Sequence, residues 1–344
     1  MALFSQSSFK ATGIKSLCWR GDELVDWVGG GRAFAADGSE RGANVRFGYR
    51  FDAATASPDG RFAVIYQRLG TKALLLRDGR IVRELERSFY HADAYEYPVA
   101  LFNSRDGRVL LAHCPRDYCR IDLEDAETGR SLTESPDRKP SDFFHSRFAV
   151  SPKAKRLLSA GWVWHPLDLV AAFDLAAAFA DPRNLDGGPD LHTLFNPALA
   201  EESSACWITD DRLVIAASAE PEGNDDVEKG SGKRLQPRGL AVCDLLQQKC
   251  LQSFQLDEPA GTILPIGERF VLSLYRYPKL IDLSTGKITH AWRELRSGLQ
   301  VGSIVWNSDD DAKPPPMAFD AATNRFAIVN GDTVTRIEFD LAGS

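Results

Sequence analysis

One short pattern, repeated along the whole chain, limits what this sequence can fold into: a turn, then Arg, then an apolar run. It reads Ala56-Ser-Pro-Asp-Gly-Arg61-Phe-Ala-Val-Ile-Tyr66, then Asn103-Ser-Arg-Asp-Gly-Arg108-Val-Leu-Leu-Ala, then Val150-Ser-Pro-Lys-Ala-Lys-Arg156-Leu-Leu-Ser. Further copies are Ile208-Thr-Asp-Asp-Arg212-Leu-Val-Ile-Ala, Pro265-Ile-Gly-Glu-Arg269-Phe-Val-Leu-Ser and Ala322-Thr-Asn-Arg325-Phe-Ala-Ile-Val. A degenerate copy, Cys18-Trp-Arg-Gly-Asp-Glu23-Leu-Val-Asp-Trp, precedes them, and the intervals from residue 23 are 38, 47, 48, 56, 57 and 56 residues. Asp-Gly and its relatives supply the backbone angles of a hairpin turn, and Val, Ile, Leu and Phe fill the strand after it. Because successive positions of that strand are apolar, both of its faces are expected to be buried, as where sheets stack on sheets. A second hairpin follows in most units. Leu280-Ile-Asp-Leu-Ser-Thr-Gly-Lys-Ile-Thr-His290 is the clearest, and Ile121-Asp-Leu-Glu-Asp-Ala-Glu-Thr-Gly-Arg130-Ser-Leu matches it. Two hairpins per unit make a four-stranded blade, and blades repeated in a ring leave only short edges.

The Ser-Pro-Asp-Gly-Arg turn at 57–61 and the Asp-x-x-Thr-Gly-Lys hairpin at 282–287 resemble those of the β-propeller repeat superfamily. The likeness is to Ser-Pro-Asp-Gly-Arg and YVTN-like repeats more than to WD repeats, because no unit ends in Trp-Asp and none opens on Gly-His. The resemblance implies an all-β, seven-bladed β-propeller of four-stranded antiparallel blades. It transfers no catalytic residue, no partner and no WD-type histidine network. The chain is expected to be a single domain over 1–344, with blades at about 11–50, 51–90, 97–135, 146–196, 203–257, 260–295 and 316–340. The last unit supplies three strands, and the segment 4–10 is expected to be its fourth, closing an edge that would otherwise aggregate. Helix is expected only in the Ala-rich stretch 168–179, its first half strand and its second a short helical turn.

Charge and cysteine content narrow the partner classes. Lys plus Arg number 41 against 48 Asp plus Glu, a net charge of −7, so nucleic acid is not expected as a partner. No stretch approaches the ~20 apolar residues of a membrane span, and the first residues lack the basic and apolar regions of a secretory signal. The six cysteines, at 18, 114, 119, 206, 243 and 250, have neither zinc-ligand nor Cys-x-x-Cys spacing. They read as reduced thiols of a cytoplasmic protein, with Cys114 and Cys119 able to oxidise if they face each other across a hairpin. No metal and no cofactor is expected.

In a propeller, the turns inside the two hairpins of a blade share one face. The loops between second and third strands and between blades share the other. The first face receives short turns; the second receives the long aromatic segments. Candidate partner-binding residues on it are Tyr90, His91, Tyr95 and Tyr97; Phe143 and Phe144; Trp162, Trp164 and His165; and Tyr275 and Tyr277. Trp306, Asp309, Asp310 and Asp311 join them from the insertion 296–316, and a second acidic insertion spans 219–238. Aromatic residues on loops of a rigid scaffold are the usual anchors of a protein interface; the alternative is that some of them pack between blades. Nucleophile-elbow, phosphate-loop and dinucleotide motifs are absent, and the six histidines form no metal motif. The expectation is therefore a non-enzymatic protein-binding propeller, its partner another, basic protein. An immunity or inhibitor protein capping a toxin is one form of this, and an assembly scaffold another. A hydrolase or lyase at the channel mouth is the enzymatic alternative.

Overall fold

The computed structural model describes residues 3–42, 45–195, 200–218, 235–305 and 313–341. Each repeat folds as an antiparallel sheet in which strand order follows chain order. Seven such sheets occur, and the strand Phe4–Lys10 pairs with Thr333–Phe339, so both ends of the chain share the last one. This is the seven-bladed β-propeller. Five sheets have four strands. The third and fourth have three named strands, the third adding one bridge between Glu124 and Ser131.

The chain separates into two compact units. The first holds the three N-terminal sheets and the last, and in it the register from Phe4 opposite Phe339 to Lys10 opposite Thr333 completes the closing sheet. The second holds the fourth, fifth and sixth sheets. Burial within a sheet follows strand position. Phe62–Tyr66 and Lys72–Arg77 are almost wholly buried, whereas the outer strand Arg80–Glu86 alternates mostly exposed residues with Leu85 inward. The sixth sheet repeats this, from buried Phe270–Ser273 and Lys279–Asp282 to exposed Lys287–Ala291.

The turn chemistry explains the repeat. Ser57 N–H donates to the Phe62 carbonyl, Phe62 N–H donates to Ser57 Oγ, and Gly60 N–H donates to the Ser57 carbonyl at 2.8 Å. Gly60 is left-handed at φ +68°, and a Cβ there would lie 2.6 Å from Arg20 Cγ, so both backbone angle and space call for glycine. Ser151 builds the same turn, Ala154 taking the left-handed position at φ +50°, and Ser104 builds one a residue shorter that closes on Arg108.

Arg61, Arg108, Arg156, Arg212, Arg269 and Arg325 all stand at, or directly before, the first residue of a second strand. Four of them reach an aspartate at the end of the third strand: Arg108 to Asp125, Arg156 to Asp174, Arg212 to Asp244 and Arg269 to Asp282, at 3.5, 3.7, 3.1 and 2.8 Å. Two tie one sheet to the next inside a unit. Arg325 lies over the Trp19 ring and pairs with Asp22 at 2.8 Å; Arg156 pairs with Asp211 at 3.1 Å.

The Ala-rich stretch divides as expected, into strand Leu167–Asp174 and helix Leu175–Ala180, with Asp174 capping the helix through Ala177 N–H. Two further short helical pieces, Pro182–Leu185 and Asp190–Phe195, follow it.

Candidate binding surface

In the first unit, the loop after strand Arg80–Glu86 is built around one buried cation. Arg87 is 5% exposed, and its guanidinium donates to the carbonyls of Gly70, Glu96, Ala92 and Tyr95 at 2.8, 3.1, 2.5 and 2.9 Å. A planar five-donor fork suits such a ring of carbonyls better than any other side chain. The same group lies 4.5 Å from the Tyr95 ring centre and 5.2 Å from that of Tyr97. Burial pulls its pKa below the usual arginine value, although the two tyrosines oppose the shift. Tyr95 and Tyr97 are thereby spent on packing. They are 0% and 2% exposed, and neither is a contact for a partner, contrary to the expectation from sequence.

The other half of the loop turns outward. Phe89 is 86% exposed, the highest value of any large apolar side chain among the described residues, and Tyr90 follows at 43%. Tyr90 meets the half-buried His91 edge-on at 4.5 Å and Tyr118 at 5.2 Å. Phe89 and Tyr118 are not among the residues selected from sequence. An Arg at the outer strand's exit, followed by consecutive aromatics, is the signal that points to Phe89; none points to Tyr118.

The second unit holds its aromatic loop differently. Phe144 and Trp162 form an isolated bridge, exchanging backbone hydrogen bonds at 2.8 and 3.1 Å, and their rings stack at 3.8 Å and 13°. The approach depends on Gly161, where a Cβ would lie 2.0 Å from the Phe144 carbonyl oxygen. Trp164 extends the stack, 5.9 Å from Trp162, and is 51% exposed; His165 beside it is exposed and left-handed at φ +90°. Phe143, Phe144 and Trp162 are 0%, 1% and 3% exposed, so these three too are corrected from partner contacts to packing. Their loop is anchored by His145, buried against Ser159 Oγ through Nδ1 and the Cys119 carbonyl through Nε2. Since a carbonyl only accepts, Nε2 carries the proton and Nδ1 accepts from the serine hydroxyl. Burial pushes the His145 pKa down to about 3, with the Cys119 hydrogen bond opposing it, and the ring is neutral at physiological pH.

Tyr275 and Tyr277 are half-buried on a turn of the sixth sheet, with Arg276 exposed between them. Trp306, Asp309, Asp310 and Asp311, and the acidic residues of 219–234, lie outside the described residues.

A cleft of about 320 Å³ opens in the first unit between the first and second sheets, with Arg20, Arg41, Trp27, Phe47, Gly31 and Gly79 in its lining. Glu23 pairs with both arginines and Arg20 lies 5.6 Å over the Trp27 ring, so the guanidinium groups are already engaged. Among the described residues, no group of three or more His, Cys, Asp or Glu side chains is placed to hold a metal, and no helix is long and apolar enough to cross a membrane. None of the six cysteines is disulfide-bonded. Cys243 and Cys250 face each other across a hairpin as register partners on adjacent strands, a pairing that their spacing in sequence does not signal.

No protein-family model matches this chain, and no curated protein matches it.

Proposed function

We propose that this propeller is a non-enzymatic protein-binding module that engages its partner through the aromatic loops, with repeats of the Ser-Pro-Asp-Gly-Arg and YVTN-like kind. The observation that carries the reading is Phe89, 86% exposed beside Tyr90 on a loop fixed from beneath by Arg87. Leaving a Phe side chain in water forgoes about 2 kcal/mol of burial. A fixed loop also loses little entropy on binding, so such a residue suits an anchor. Trp164, half-exposed on a packed stack, supports the same reading from the second unit. The net charge of −7 favours a basic partner, since a long-range field of that sign speeds its encounter. In its most specific form, the chain is an inhibitor that caps a basic protein such as a toxin acting on nucleic acid.

The test is quantitative capture of the purified partner by wild type, Phe89→Ala with Tyr90→Ala, and Trp164→Ala. Loss of at least about tenfold in affinity, with an unchanged unfolding transition, is the expected result for the first variant. Equal affinity for all three proteins would remove these loops from the interface. An acidic partner would overturn the capping form of the proposal.

A further inference from the structure

The sixth sheet carries a local inversion of the chain's overall charge. Lys279, at the start of strand Lys279–Asp282, is 2% exposed, and its ammonium lies 4.7 Å from the Tyr277 ring centre and 5.7 Å from that of Tyr275. It donates to Glu258 Oε1 at 2.6 Å and to the Tyr275 carbonyl at 2.8 Å. Arg276 stands over Tyr275 at 5.3 Å and approaches Glu258 Oε2 at 3.4 Å, while Arg293 stands over Tyr277 at 5.1 Å. Three cations thus surround two tyrosine rings, and among the described residues Glu258 is the one carboxylate paired with any of them. The mutual repulsion is felt at Lys279, whose pKa is lowered mainly by burial and further by Arg276 and Arg293, against the pull of Glu258.

The backbone holds this arrangement against its own preference. Arg276 is left-handed at φ +67°, a conformation that favours glycine, yet it is clamped by hydrogen bonds on both sides. Its N–H donates to the Gly298 carbonyl at 2.7 Å, and its carbonyl accepts from Ser297 N–H at 2.9 Å. The exposed guanidinium of Arg276 is therefore carried on a strained, fixed knuckle. Strain held in place by the surrounding structure is a mark of functional sites.

We propose that the Tyr275–Arg276–Tyr277 knuckle, with Arg293, is an oxyanion-binding site that takes a carboxylate or phosphoryl group presented by the protein partner. Two exposed guanidinium groups offer the paired donors that planar carboxylate and tetrahedral phosphate both accept. The buried Lys279 adds charge from below, and Glu258 keeps its ammonium in place. The site is compatible with a basic partner, because steering responds to net charge over a Debye length whereas the knuckle reads one group in contact. The proposal rests on the protein-binding reading only for the source of the oxyanion.

The first probe is inorganic phosphate, titrated into the full-length chain while the arginine Nε–Hε resonances are followed by NMR. Saturable shifts confined to Arg276 and Arg293 are expected, with Arg276→Gln or Arg293→Gln weakening binding at least about fivefold. Arg276→Gly separates binding from folding: it relieves the left-handed strain, so it should keep or raise the melting temperature while still losing phosphate. Unmoved resonances, equal shifts at arginines throughout the chain, or undiminished binding by these variants would overturn the site. The source is read with one peptide made with serine, phosphoserine or glutamate at its centre. Binding of the phosphoserine form alone assigns a phosphoryl group, and binding of both charged forms assigns acidic side chains generally. Phosphate binding without either peptide overturns the protein source. None of these results depends on Phe89, so failure here and failure of the aromatic interface are distinguishable.

Discussion

Two exposed aromatic side chains, Phe89 in the first unit and Trp164 in the second, rest on loops that are held by different means. The loop 87–98 in the first unit is fastened by a buried cation whose donors are all spent on backbone carbonyls. The loop 143–147, which packs beneath Trp164 in the second, is fastened mainly by rings: a stacked Phe144–Trp162 pair, a glycine at the close approach, and an uncharged His145, with Arg147 donating to the Ser203 carbonyl. The first solution tolerates irregular backbone, because one guanidinium can satisfy several carbonyls that no strand would reach. The second extends the sheet's own pairing and gains rigidity from ring contact. In both loops a buried group holds the displayed aromatic in place, and the charge of that group decides which conditions loosen the loop.

The largest effect is expected from Arg87→Met. It leaves four carbonyls unsatisfied beneath Phe89 and Tyr90 and should cost about 3–5 kcal/mol in denaturant unfolding. A loss below about 1 kcal/mol would show that water replaces the guanidinium and that the loop is not pinned by it. Next comes Gly161→Ala, whose methyl must displace the Phe144 carbonyl; about 2–3 kcal/mol should be lost, together with the near-ultraviolet dichroism of the Trp162–Trp164 stack.

Acidification should separate the two fasteners. The fold holds His145 neutral down to about pH 3, whereas the unfolded chain takes up that proton near the ordinary histidine value of 6.5. Lowering the pH through this window therefore favours unfolding, by at most about 1.4 kcal/mol per unit. The stability difference between wild type and His145→Gln should shrink as the pH falls from 7 to about 4, and a constant difference would show that His145 is not the titrating group. Asp168 acts with the opposite sign. Its carboxyl, pushed up to about 6 by burial despite Arg147 and Ser303, gains a proton in the fold first and adds stability between about pH 6 and 4. Arg87 stays charged across this range. Amide protection, corrected for intrinsic exchange, should thus fall at 143–147 and hold at 88–97.

The smallest effects on stability belong to the displayed residues themselves. Phe89→Ala should change the unfolding free energy by less than about 0.5 kcal/mol, and Trp164→Ala, which loses ring contacts, by about 1 kcal/mol. Tyr95→Ala, from the buried half of the first loop, should instead cost about 3–5 kcal/mol. Similar costs for Phe89 and Tyr95 would erase the distinction between anchor and packing residue.

Much of this was legible in the order of residues. The Ser-x-x-Gly turn encodes its own hydrogen bonds, the arginine after it marks the entry to a strand, and the apolar runs announce burial on both faces. All of these interactions are local or recur at a fixed register, which is why seven sheets and the pairing of residues 4–10 with the last strand follow from reading along the chain. The binding surface was legible only in outline. Tyr90 and Tyr95 are five residues apart in one aromatic segment, and nothing in their identity tells that one is exposed and the other buried. Arg87 decides it, by drawing the carbonyls of residues 70, 92, 95 and 96 around one guanidinium. Likewise, Gly161 reads as a weak point in a strand until the Phe144 carbonyl is seen where its side chain would be. Local chemistry determined the blades. Which aromatic rings face water, and which cations crowd Tyr275 and Tyr277, was settled by how each loop folds back on itself and on its neighbours, because burial and charge depend on everything that surrounds a side chain.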